Sequence, residues 1–172
     1  MSFSLYDATV QTFHQILSST EVVLAKGKEH YQKAGGNADE VLDVQLIEDM
    51  LPFRFQVISV AHHSLGALKG ATSGEFGPPQ VAQLDYSGLQ GLIQESLRGL
   101  DEFSKDSVNG LEGRRVTFKM GGMEIPFNAE DFLLSFSLPN FYFHATTTYD
   151  ILRMKGVQLG KRDFLGRLRI DR

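Results

Sequence analysis

With 172 residues, 42% of them hydrophobic, the chain is long enough to bury one core unaided, and a single domain over residues 1–172 is expected. The absence of cysteine excludes disulfides, thiolate catalysis and cysteine-ligated zinc, and suits a reducing, cytoplasmic setting. A net charge of −4 without a long basic block argues against nucleic-acid binding, and no stretch approaches the roughly 18 apolar residues of a membrane span.

From Leu5 to Ala34, apolar Tyr6, Val10, Phe13, Leu17 and Leu24 recur at helical spacing, Ser4 with Asp7 marks the start and Gly35–Gly36 the stop. His14 borders that stripe. Asn37 is a plausible cap for a short helical turn over residues 38–42 that reverses the chain. A second helix follows Pro52. Its 3.6-residue period puts Leu51, Phe55, Ile58, His62 and Leu65 on one face, pointing His62 inward, and groups His63 with Gln56, Ser59 and Gly66 about 100° away. Residues 72–82 carry Gly77, Pro78 and Pro79 and read as a loop. A third helix over residues 85–103 contains Leu89, Leu92, Ile93, Leu97 and Leu100, with Gly91 and Gly99 expected where another helix packs closely. The period then changes to two. Val116, Phe118 and Met120 alternate with polar residues, Gly121–Gly122 suits a tight turn, and Pro126 confines the second strand to an edge, giving a β-hairpin before the last helix.

The stretch Leu138–Gly166 carries the last long helix, with Pro139 fitting a first turn and Lys155–Gly156 a stop. On it Asn140 and His144 lie on one face beside an apolar stripe of Phe141, Ala145, Thr148 and Leu152. That Asn–His pair is the strongest chemical hint in the chain. Phosphate-cradling glycine loops, HExxH and GxSxG are absent, and the Glu48–Asp49 pair is more simply explained as charge complementing a helix start. The fold expected from these elements is all-α, a four-helix bundle with a small β-hairpin inserted before the last long helix.

The segments SLYDATV at residues 4–10, DM-x-P around Asp49, Met50 and Pro52, and LPNFYFH…YDILR…GV.LGK.DFLG over residues 138–166 resemble the DUF1993 family, which is similar to the DinB/YfiT superfamily of four-helix bundles. That resemblance implies a divalent metal, zinc or nickel, held by a histidine of the second helix and a His-x-x-x-His pair of the last. Here His144 matches the second member of the pair and Asn140 replaces the first. The helix-two ligand would be His62, or else His63, and His14 is the candidate third imidazole. Four readings follow. The first is a metal-free small-molecule pocket with His144 and His62 as catalytic residues and His14, Asn140, Gln56 and Thr148 as pocket residues. The second is a zinc or nickel transferase or isomerase using His62, His144 and His14. The third is a non-enzymatic homodimeric interaction module that uses the hairpin Phe118–Phe127 and the basic tail. The last is a metal-free isomerase or cyclase.

Overall fold

The computed structural model describes residues 4–170. The chain is mostly helical, with one small sheet. Ser4 caps α1 (Leu5–Ala8), its hydroxyl accepting from the Asp7 N–H at 3.2 Å, as the sequence suggests. The expected first helix is not continuous: it breaks at Thr9, whose hydroxyl donates to the Leu5 carbonyl, and resumes as α2 (Val10–Lys33). The backbone at Thr9 is distorted, at φ −108° and ψ −71°, while its N–H still reaches the Leu5 carbonyl at 3.0 Å. Gly35, at φ 75°, ends α2, and Asn37 with Glu40 forms a capping box on the 3-10 turn Ala38–Val41.

The second helical run comprises α3 (Phe53–Ala61), a π-helical turn over His62–Gly66, and α4 (Ala67–Ser73). It stops at Gly74. The loop expected at residues 72–82 begins with a strand, β1 (Glu75–Phe76), which pairs in parallel with β2 (Arg115–Met120). β2 turns at Gly121–Gly122, both with positive φ, and pairs antiparallel with β3 (Met123–Asn128). The sheet therefore has three strands in the order β1-β2-β3, with Pro126 on the outer strand as expected. Phe118 is buried and Phe127 half-buried, their rings packed with those of Phe132 and Phe136. The aromatic face of the hairpin is thus used in the core, and its outer residues are Met120, Met123 and Ile125.

Asp85 caps α5 (Tyr86–Leu100), and the short α6 (Lys105–Asn109) leads to β2. Of the two glycines expected to admit a neighbour, Gly99 does: a Cβ there would press on Leu65. Gly91 faces open space. Gly91→Ala is therefore expected to stabilise the fold by about 1 kcal/mol, the helix-propensity gain alone, measured by chemical denaturation; a loss of stability would contradict the open environment.

The last run consists of α7 (Ala129–Asp131), a π-helical segment over Phe132–Ser137, and α8 (Leu138–Met154). Pro139 lies in the first turn of α8, as expected, although the chain is already helical when it arrives there. In regular α geometry its ring would crowd the carbonyl four residues back, and the run widens into π geometry just ahead of it. α8 ends before Gly156 at φ 88°, as expected. The tail helix α9 (Lys161–Leu165) docks on α2 through Gln15 to the Leu165 carbonyl and Lys26 to Asp163. α8 packs on both α3 and α2, α5 packs on the same two helices, and Phe13 meets Phe141 edge to face at 5.0 Å between centroids.

Candidate functional site

Gln56, Ser59 and His63 share one face of the second run because they are three and four residues apart. All three are buried, although the surrounding helix is almost wholly apolar. This face meets α8. His63 lies against His144, the rings near parallel at 14° with centroids 5.7 Å apart. His62, which the period points inward, is half-buried instead; its ring stacks on Phe76 at 4.3 Å and meets the edge of His63 at 5.3 Å. The helix-two partner of His144 is therefore His63, because the last run covers the Gln56–His63 face.

The hydrogen bonds define which nitrogens carry protons. Ser137 has one hydroxyl proton and donates it to the His63 carbonyl at 3.1 Å, so its oxygen accepts from His63 Nδ1–H at 3.2 Å. Gln56 donates from Nε2 to the Leu51 carbonyl at 2.7 Å, which turns its Oε1 toward His144 to accept from Nδ1–H at 2.8 Å. Both rings thus present a bare Nε2, and neither Nε2 has a hydrogen-bond partner among the described residues. The buried side-chain polar atoms without a partner are Arg54 Nε and Ser59 Oγ, so the two Nε2 atoms keep contact with solvent. The hydroxyl of Ser59, between Gln56 and His63 along the helix, is a further unmet polar group beside them.

Burial sets the charge. Desolvation first, then the neighbouring His62 and His144 rings, push His63 down to about 3. Desolvation, with His62 adding to it, pushes His144 down to about 4. Burial lowers His62 too, partly offset by its bond to the Gly77 carbonyl. The cluster is neutral at pH 7. An imidazole held so far below neutrality is a weak general base and a good hydrogen-bond acceptor.

The other sequence candidates divide. Thr148 is buried and donates to the His144 carbonyl at 2.9 Å, and Gln56 orients the ring of His144. Asn140 is half-buried and donates to the Phe136 carbonyl at 2.7 Å. His14 does not join the cluster. It is exposed, faces Asp101 at 3.6 Å, and lines a separate groove of about 470 Å³ with Tyr6, Arg167 and Arg169. Its place near the Val10–Leu17 stripe was legible; which groove that stripe borders was not. Ser59 and Ser137 were not singled out, and their signal was slight: isolated hydroxyls inside the apolar runs FRFQVISVAHHSLG and FLLSFSLP.

Zinc or nickel does not fit this donor set. The two bare imidazole nitrogens lack a third ligand: the Asn140 amide donates to a backbone carbonyl, His62 Nε2 is bonded to Gly77, and the nitrogen that His62 leaves free, Nδ1, lies beside Gly66. Among the described residues no group of three or more His, Cys, Asp or Glu side chains is arranged to hold a metal ion.

The second and last helical runs thus meet where their π-helical turns face each other, with His63 bonded to Ser137. The sequence model of the DUF1993 family, a domain of unknown function, matches residues 5–165, and the chain belongs to that family. Its fold is similar to that of a DinB family member protein from Shewanella denitrificans, with a TM-score of 0.77 and 24% identity over 98% of this chain and 95% of that one. No curated protein matches the chain. Among the described residues no helix is long and apolar enough to cross a membrane.

Proposed function

We propose that this chain is a DinB-like four-helix bundle that binds a small organic molecule through N–H or O–H groups donated to the Nε2 atoms of His63 and His144. The observation that carries the reading is the pair of locked tautomers, each with its acceptor nitrogen unpartnered. π-helical turns recur at functional sites, and two of them, His62–Gly66 and Phe132–Ser137, are bonded to each other here. The neighbours of His144 favour an organic ligand: Phe55 and Phe143 lie edge-on to its ring, and Phe143 is exposed. His62 backs His63 from behind, and Thr148 and Gln56 hold the His144 backbone and ring. In this reading the site works without a metal.

Nitrogen-15 spectra of histidine-labelled protein, recorded while a metabolite library is screened, test the proposal. Binding should move the Nε2 resonances of His63 and His144 together, and His144→Ala should abolish it. A ligand that binds while both Nε2 resonances stay put would sink the reading. Elemental analysis of untagged protein after incubation with zinc and nickel should find only substoichiometric metal; one tightly held ion per chain would overturn the metal-free part.

A further inference from the structure

A second cavity lies on the other side of His62. It encloses about 270 Å³ between α3, the π turn, α5 and the segment 77–84. Ile58, Ala61, Leu65, Leu84 and Leu92 supply an apolar wall, and neither His63 nor His144 lines it. The covering segment, from Gly77 to Asp85, has no regular secondary structure. It is tied at Gly77 by His62 and at Gln83 by Arg54, 2.7 Å each.

We infer that this groove is a separate ligand site for a small, uncharged single-ring phenol, whose hydroxyl donates a hydrogen bond to His62 Nδ1. A carbonyl oxygen only accepts, so the bond to Gly77 puts the ring proton of His62 on Nε2 and leaves Nδ1 a bare acceptor. Gly66, which lines the cavity, keeps that nitrogen uncovered: a Cβ there would stand 3.2 Å from Nδ1. The volume is near the lower end of ligand pockets, which span about 300 to 1,000 Å³, and suits one ring with a short substituent. Exposed Lys69 and Glu95 on the lining carry opposite charges, so the groove favours neither a cation nor an anion. A bare acceptor beside an apolar wall discriminates by the donor, since a molecule lacking it leaves His62 Nδ1 unpaired on desolvation.

The test uses the full chain, labelled with nitrogen-15 and titrated separately with 4-ethylphenol and its O-methyl ether 4-ethylanisole, which share the ring and the ethyl group but not the donor. 4-Ethylphenol should saturably shift the amides of Ala61, Leu65, Gly66, Leu84 and Leu92 together with His62 Nδ1. The anisole should bind about tenfold more weakly. Gly66→Ala should weaken the phenol to a similar extent by covering Nδ1, and if that variant does not fold, the probe pair decides alone. Equal affinity for both probes, shifts centred on His63 and His144, or the absence of saturation would overturn the inference.

Discussion

Acidification from pH 8 to pH 5 is expected to remove roughly 4 kcal/mol of folding stability through His63 and His144 alone. Both rings are neutral in the fold, held at about 3 and about 4, whereas in the unfolded chain each titrates near 6.5, the ordinary histidine value. Between those values the unfolded state binds more protons than the folded one. Stability is therefore complete above pH 6.5 and declines as pH falls toward 4. At pH 5, still above both folded values, each ring contributes the 1.5-unit gap to 6.5, or about 2 kcal/mol. His62 shifts in the same direction and steepens the loss. The paired carboxylates Asp7 and Asp163 are held below their usual range, by Ser4 and Lys26 first, so what they contribute is lost only below about pH 4 and does not overlap. Urea midpoints across this range measure the effect, and His144→Gln should flatten the slope by about half. A midpoint unchanged from pH 8 to pH 5 would show that the rings accept protons within the fold.

Gly27→Ala is expected to cost about 2 to 3 kcal/mol, in the overpacking range. The added methyl group would overlap the Tyr86 hydroxyl and press on Leu152. Tyr86 cannot easily yield: it is 2% exposed, donates to the Leu24 carbonyl at 2.8 Å, and stacks on Phe53 with centroids 5.9 Å apart. For a chain of this size the melting temperature should fall by roughly 5 to 10 °C. Tyr86→Phe removes the oxygen, so the glycine substitution should cost less in that background, and a double-mutant cycle reads the difference. Strict additivity of the two changes would place the clash elsewhere. The contrast with Gly91→Ala is informative, because two helical glycines then differ in sign through their surroundings alone.

The helices, their caps and the hairpin were legible because each rests on local chemistry: Ser4, Asn37, Gly35, Gly121–Gly122 and Gly156 act within a few residues of themselves. β1 was not, since two residues carry no periodicity and owe their strand to β2 forty residues away. The choice between His62 and His63 stayed open for a related reason. Periodicity grouped Gln56, Ser59 and His63 correctly, but which face the last helix covers is decided by tertiary packing. Gln56, Asn140, His144 and Thr148 were named from helical spacing and the resemblance, which place residues on a helix face without saying what that face meets. The π turns left no trace beyond Pro139, and without them the contact of His63 with Ser137 has no sequence signature.

That contact has a consequence for motion. The Ser137 hydroxyl holds the His63 ring and the His63 backbone at once, so the second and last helical runs are pinned in register. A slide by a single residue, about 1.5 Å, would undo both bonds together. Under the proposed function, the two acceptor nitrogens are thereby fixed at one spacing before a ligand arrives, which would then lose little affinity to ordering them.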